Sequence, residues 1–275
     1  MSSTASSKNE TINIPEDTDV VQVVVSGGIT SRLATWIDEI KNNPEAVAQD
    51  SLFRMATYFQ LQLFARHDPI DDVDFAFLIE EKQALEVLLT CLNKDFNDDD
   101  ETDTVVNVEV DYYLNVLRCI VPFILYGGEN LFVDMGGPKR CLELATKFQT
   151  DETIQTGIAL LFHMLMTNLN DDVKLQTMAE PIYNFMFDTY QHSETSGDTV
   201  AHWCLILLEL GRPESATLTL SVTYAVACCI VKHPYHEDTQ HFGRLYLTSI
   251  HGHEDFTNDF ICWVATKEGG PGGSA

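Results

Sequence analysis

The fold is decided by the stretch Leu131-Phe132-Val133-Asp134-Met135-Gly136-Gly137-Pro138, in the middle of the 275-residue chain. A short apolar segment runs into two glycines, and a proline follows at once. Glycine adopts the left-handed conformation that ends a helix, and proline is favoured in the first turn of the next helix. The stretch therefore predicts two helices joined by a sharp bend, the second running from Pro138 to Phe148.

A third, longer helix is expected after the second helix and a polar turn, from Asp151 to Asn168. Ile158, Leu161 and Leu165 recur within it at helical spacing, so they lie on one apolar face. The pattern predicts a unit of three helices: a short one, one of about ten residues, and a longer one that follows a polar turn.

Related features return along the chain at intervals of 43 residues. Gly157 and Gly243 are separated by twice this interval, Val200 lies halfway between them, and Leu114 lies one interval upstream of Gly157. A period in this range is typical of stacked helical arrays.

The three-helix unit resembles an armadillo repeat, in which a glycine pair allows a sharp bend between the first and second helices. The segment Val25-Ser26-Gly27-Gly28-Ile29, followed by residues 44–64, resembles a second copy. The copy between them carries Glu81-Lys82 in place of the glycines and then a long insertion. The resemblance covers residues 20–265.

Two later copies depart from the armadillo pattern. Ala179-Glu180 replaces the glycine pair in one of them, and Pro181, 43 residues after Pro138, is expected to begin a helix there. The last copy, around residues 218–250, has no such pair and is closer to a HEAT-type helical hairpin. Pro122 is expected to kink its helix or end it early, and Gly211-Arg212-Pro213 to stop the helix that carries Trp203.

These features predict an all-α protein, a right-handed superhelical solenoid of about five armadillo/HEAT-like repeats over residues 20–267. Residues 1–19 are acidic and rich in serine and threonine, and we expect them to be disordered. Residues 20–25 are expected to form a short buried helix, and the glycine-rich residues 268–275 a flexible tail.

Residues 93–111 hold eight acidic residues against one lysine, which predicts a solvated loop that projects from the stack. Alternate positions carry oxygen ligands as in an EF-hand loop: Asp95, Asn97, Asp99, Glu101 and Asp103. The sixth and twelfth positions are Asp100 and Val106, however, where that geometry needs glycine and glutamate. We therefore interpret the segment as an acidic loop and not as a calcium site.

The composition narrows the classes of partner. Lys and Arg number 16 and Asp and Glu 42, for a net charge of −26, which repels nucleic acid and anionic lipid and favours a basic protein segment. The longest apolar run, residues 224–231, is far shorter than the ~18 residues that a membrane span needs. No secretory or transit signal is recognisable, so the expected compartment is the cytoplasm, with the nucleus as the alternative.

Cysteine and histidine provide the candidate ligands. The seven cysteines fall in apolar helical patterns without CxxC spacing, and we expect small buried side chains in a reducing compartment. Five histidines crowd the C-terminal quarter without the spacing of a zinc motif, so turn histidines are expected and no metal: His233, His236, His241, His251 and His253.

The resemblance implies that the third helices line a groove that holds an extended peptide. Arg54, Tyr58 and Gln62 form one stripe, since they are spaced i, i+4, i+8. The full set of polar residues expected in the groove is Arg54, Tyr58, Gln62, His163, Thr167, His202 and Arg244. The Trp/Asn ladder of import receptors is absent from the sequence, since no asparagine lies four residues after Trp203.

No motif for nucleophilic catalysis, for a phosphate loop or for a dinucleotide is present, and we expect no cofactor. The sequence predicts a non-enzymatic scaffold or adaptor that binds a protein segment in a concave groove. Two alternatives remain: a structural subunit of a larger assembly, and a metal-dependent helical enzyme built on the C-terminal histidines.

Overall fold

The computed structural model describes residues 28–43, 45–65, 73–94, 103–192 and 196–267. Over these ranges the protein is all-helical and contains no strand, which confirms the predicted fold class at that level. The predictions for residues 1–19, 20–25 and 268–275, and for most of the EF-hand pattern, lie outside the described residues.

The helices, in chain order, are α1 (Ile29–Asn42), α2 (Glu45–Phe59), α3 (Phe75–Glu80), α4 (Ala84–Leu92), α5 (Asp103–Phe123), α6 (Glu129–Asp134), α7 (Gly137–Lys147), α8 (Glu152–Asn168), α9 (Asp172–His192), α10 (Gly197–Leu210), α11 (Ala216–Lys232), α12 (Glu237–His251) and α13 (Glu254–Lys267). Helices α2 and α5 each run into a π-helical turn, Gln60–Ala65 and Ile124–Gly128 respectively.

The predicted three-helix unit is confirmed as α6, α7 and α8. Gly136 has φ of +74°, the left-handed conformation that glycine provides at low cost. A side chain on Gly137 would lie 2.4 Å from the ring of Phe132, so the bend is also closely packed. Asp151 caps α8 by accepting a hydrogen bond of 2.9 Å from the backbone N–H of Ile154.

The copy without glycines makes the same bend by other means. Gln83, between α3 and α4, has φ of +56° and is left-handed although it is not glycine. Its side-chain oxygen accepts a hydrogen bond of 2.9 Å from the Lys41 ammonium. Helices α3, α4 and α5 therefore form a second three-helix unit.

The loop predicted at residues 93–111 is wrong for its second half, because α5 begins at Asp103. Glu109 is only 8% exposed and its carboxylate lies 2.5 Å from the Lys147 ammonium at the end of α7. Pairing with a lysine allows this carboxylate to be buried within an acidic segment.

The helix start predicted at Pro181 is also wrong, because α9 runs unbroken through it. No glycine precedes it, and Ala179 and Glu180 are good helix formers. The expectation for Pro122 is confirmed: α5 leaves regular geometry soon after it, and Tyr126 and Gly127 have non-helical angles. The stop at Gly211 is confirmed as well, with φ of +75° directly after α10.

The helices contact one another in two rows. In the first row, each helix packs against the next in the order α1, α4, α7, α9, α11, α13. In the second row the order is α2, α5, α8, α10, α12. Each second-row helix also packs against the first-row helix that precedes it in the chain, so the core lies between the rows.

Long-range hydrogen bonds from side chains, to other side chains or to the backbone, repeatedly join residues about one interval of 43 residues apart. The Oγ1 atoms of Thr156 and Thr199, on α8 and α10, lie 2.6 Å apart. Thr239 Oγ1 donates a bond of 2.8 Å to the carbonyl of Gly197. Further pairs of this kind are Thr30 with Asp74, Asp38 with Lys82, and Asn130 with Lys174. The sequence interval thus corresponds to contacts between neighbouring units.

Gly157 and Gly243, which are two intervals apart in the sequence, are displaced by one residue relative to each other in the structure. Gln155 donates bonds of 2.6 and 2.9 Å to the carbonyls of Ala145 and Phe148. Gln240 makes the equivalent bonds, of 2.7 and 3.0 Å, to two carbonyls at the end of α11. These glutamines are structurally equivalent, so Gly157 and Gly243 occupy successive and not identical positions.

By length and composition alone, one helical stretch of the described chain could cross a membrane, Val108–Asp134. Just over half of its most apolar window, 56%, is buried within the protein. It includes most of α5, which packs against α2, α4 and α8, as a core helix does.

We predict opposite effects from alanine at two glycines. Gly137→Ala would place a methyl 2.4 Å from the buried Phe132 ring and should lower the free energy of unfolding by about 1–3 kcal/mol. Gly157→Ala meets its nearest atoms at 3.5 Å within a helix and should raise it by about 0.5–1 kcal/mol. Urea denaturation measures both; equal effects would contradict the described packing.

We also predict that Lys147→Met destabilises the protein by about 1–2 kcal/mol, because it leaves the Glu109 carboxylate buried without its partner. The double variant Glu109→Gln/Lys147→Met should recover part of this loss. Lys139→Met is the control, since the ion pair of Lys139 is exposed. A double variant as unstable as the sum of its single changes would exclude the coupling.

Candidate functional site

A cleft lies between α1 and α2, at the first end of both rows. Its volume is about 710 Å³. Its lining is mainly apolar and aromatic, with two guanidinium groups and one carboxylate: Ile29, Arg32, Thr35, Trp36, Asp50, Phe53, Arg54, Thr57, Tyr58 and Leu61.

The helix pattern explains why this surface is open. Leu33 and Ile37 of α1 and Met55 and Phe59 of α2 are buried in the core. Thr35 of α1 and Phe53 and Thr57 of α2 lie on the outward faces of these helices, and no described helix precedes α1. Phe53 is therefore 57% exposed, although its side chain is large and apolar. Exposed aromatic groups gathered in a cleft are typical of binding surfaces.

Two of the predicted groove residues line this cleft, Arg54 and Tyr58. The Arg54 guanidinium lies 2.8 Å from the Asp50 carboxylate one turn earlier, and both side chains are more than half exposed. Such an exposed pair contributes little to stability, about 0.3–0.5 kcal/mol, so Arg54 can turn to a ligand at low cost. Gln62 lies in the π-helical turn after α2 and does not line the cleft.

Two other predicted residues meet elsewhere, on the second row. The rings of His163 on α8 and His202 on α10 are 6.3 Å apart and nearly perpendicular. His202 Nδ1 bonds the carbonyl of Asp198 at 2.8 Å, so this nitrogen carries the proton. The Asp198 carboxylate in turn lies 3.0 Å from Nε2 of His236. A line of polar groups therefore crosses α8, α10 and α12.

His163 is the unusual member of this line. Its Nδ1 atom is buried and has no hydrogen-bond partner in the described structure. Burial lowers the pKa of its imidazole below 6.5, the neighbouring His202 lowers it further, and Glu209 opposes the change. The site therefore favours the neutral ring.

The remaining two predicted residues serve the helices that carry them. Thr167 donates its hydroxyl to the carbonyls of His163 and Met164 in its own helix. Arg244 Nη1 bonds the Asn258 side-chain oxygen at 2.6 Å and so links α12 to α13. Six of the seven residues thus lie on second-row helices and Gln62 lies on the turn after α2, with Arg54 and Tyr58 at the cleft and His163 beside His202.

The C-terminal histidines are likewise dispersed. His236 caps α12, because its Nδ1 accepts a bond of 3.2 Å from the backbone N–H of Thr239. His251 packs its ring on Phe256 and Phe260. In the part of the chain that the structure describes, no three His, Cys, Asp or Glu side chains are placed to hold a metal.

Five of the seven cysteines are buried, as expected; Cys91 is partly buried and Cys262 is exposed. Desolvation raises the pKa of Cys141 and of Cys229 to about 12. These thiols remain protonated at neutral pH and are poor nucleophiles.

Sequence reasoning missed two clusters. Arg32 and Trp36 of α1 face Arg54 and Tyr58 across the cleft, a placement that only the packing of α1 on α2 reveals. Lys94, Arg140 and Lys147 converge at the end of α4, where Arg140 Nη1 donates a bond of 2.8 Å to the carbonyl of Leu89. This second cluster completes a helix C-terminus.

Comparisons of the chain with protein-family models, with curated proteins and with solved structures gave no match.

We predict that His163 makes stability pH-dependent. A pKa lower in the folded than in the unfolded protein means that the unfolded chain binds protons more readily once the pH falls below 6.5. Stability contributed by the neutral ring is therefore full above this pH and is lost as the pH falls toward 5. His163→Gln should lose less stability than the wild type over the same range.

The measurement is the urea midpoint at pH 7.5 and at pH 5 for each protein. His253→Gln, at an exposed turn, controls for the removal of one histidine. An identical drop in the wild type and in His163→Gln would show that His163 does not cause the pH dependence.

Proposed function

We propose that this protein is a non-enzymatic scaffold or adaptor, built as a right-handed superhelical solenoid of armadillo/HEAT-like repeats. The two rows of helices and the hydrogen bonds between residues about one interval apart support this architecture. In such an array each unit buries its apolar faces only against its neighbours, which leaves a long surface for binding. The buried free cysteines are consistent with a reducing compartment such as the cytoplasm.

The observation that carries the binding function is the cleft between α1 and α2. It combines exposed aromatic side chains with guanidinium groups, the residue types that contribute most to protein interfaces. Phe53 and Leu61, both more than half exposed, would be covered by a bound segment. The gain from burying such side chains is about 25 cal/mol per Å² of apolar surface.

The local charge of the cleft differs from that of the whole chain. A net charge of −26 favours a basic partner in solution. The cleft itself carries Arg32 and Arg54 against the single carboxylate of Asp50. We therefore propose that the cleft binds a segment whose apolar residues fill it and whose carboxylates pair with the arginines. Basic segments would bind to the acidic surface outside the cleft.

One observation favours the second function, a structural subunit of a larger assembly. Helix α13, at the other end of the rows, carries aromatic residues that remain exposed, Phe256 and Trp263. An aromatic surface at the end of an array is suited to contact with another protein.

The test is affinity capture with the double variant Phe53→Ser/Arg54→Ala. Because both side chains are largely exposed, the melting temperature should stay within about 2 °C of the wild type, while partners that use the cleft are lost. Val173→Ser, which removes another exposed apolar side chain on α9, is the matched control and should keep them. An unchanged partner set in the double variant would reject the cleft as the binding site.

A further inference from the structure

We propose that copies of this chain associate head to tail, with α13 of one copy docked in the α1/α2 cleft of the next. The inference rests on the proposed function in one respect only, that this cleft binds protein. It names the occupant as a second copy, and it joins the two ends of the described structure.

The docking element is an aromatic stripe on α13, formed by Phe256, Phe260 and Trp263. Their spacing places them on one side of the helix. Phe256 is 55% exposed and Trp263 49%, and the Phe260 and Trp263 rings stack with centroids 6.0 Å apart. The buried residues of α13, Thr257, Ile261 and Val264, lie on the adjoining side, so the stripe extends the apolar face beyond the core.

The charges of the two ends are complementary. Asp255 and Asp259 are exposed on α13, and Asp259 lies one turn before Trp263 at the edge of the stripe. The cleft offers Arg32 and Arg54, in a chain that has only 16 basic residues against 42 acidic ones. An aromatic helix edged by carboxylates therefore matches an apolar cleft that carries two guanidinium groups.

The internal packing of the protein shows why the two ends should fit each other. Within the rows, each helix between the ends is covered by a helix before it and a helix after it. Helices α1 and α2 lack the one before, and α13 lacks the one after, among the described residues. In a repeat array such end faces are of the same kind as the faces buried inside.

Such a contact is heterologous, since it joins two different surfaces, and it can therefore repeat from copy to copy. The net charge of −26 on each copy opposes association at low ionic strength. At about 0.15 M salt the screening length is about 8 Å, so repulsion between distant charges is weak while contacts within the cleft persist. The test belongs under that condition.

The experiment is sedimentation velocity of the full chain from about 1 to about 100 µM, a range that covers the weak and moderate affinities of such contacts. The head variant is Phe53→Asp/Arg54→Glu and the tail variant is Phe256→Asp/Trp263→Asp. All four side chains are about half exposed or more, and circular dichroism and melting temperature verify that each variant is folded. Val173→Asp, on α9, is the matched control.

We expect the average mass of the wild type and of Val173→Asp to rise at least two-fold above 30.9 kDa with concentration. Each end variant alone should remain monomeric. An equal mixture of the two should form a dimer and nothing larger. The head variant keeps an intact α13 and the tail variant keeps an intact cleft, so only one contact can form between them.

Three results would overturn the proposal. The first is a wild type that is monomeric over the whole range, and the second is a mixture of end variants that does not pair. The third is a monomeric full chain that associates only when it begins at Gly28, which would assign the cleft to residues 1–27. The first two results leave the capture experiment with Phe53→Ser/Arg54→Ala unaffected, so the failure of self-association and the failure of the cleft as a binding site can be told apart.

Discussion

The structure depends on the packing of each helix against the helix about one interval further along the chain. In the second row, α8 and α10 bury Phe162 and Trp203 against each other, with ring centroids 5.7 Å apart. Buried polar groups follow the same rule: the Thr239 hydroxyl is satisfied by the carbonyl of Gly197 in the preceding unit. Each unit thus supplies both the apolar surface and the hydrogen-bond partners that its neighbour needs.

Much of this arrangement could be predicted where the sequence marks its helix ends. The Gly136-Gly137-Pro138 segment predicts the end of α6 and the start of α7 closely, because left-handed glycine and first-turn proline are local requirements. The bend at Gln83 gives no such signal, since the left-handed conformation is uncommon for a residue other than glycine. The start of α5 could not be predicted for a related reason. An acidic segment has the composition of a loop, and the fold, not the local sequence, places Lys147 beside Glu109.

The candidate site, too, could be predicted from the sequence only in part. The stripe of Arg54 and Tyr58 could be read from helical spacing, and the structure places both in the cleft. The opposite wall, with Arg32 and Trp36, depends on how α1 packs on α2, which spacing within one helix cannot reveal. His163 and His202 lie further along the second row than Arg54, and their rings come within 6.3 Å of each other because α8 packs on α10. The net charge of the chain likewise does not predict the local charge of the cleft, which carries two arginines although the whole chain is strongly acidic.

The most direct test of the central claim is native-state hydrogen exchange on Thr239→Val, which removes the hydroxyl that α12 donates to Gly197 at the start of α10. If neighbouring units stabilise one another, amides of α10 and α12 should lose protection together, with a loss of about 1–2 kcal/mol. Loss of protection confined to α12, with α10 unchanged, would contradict the account.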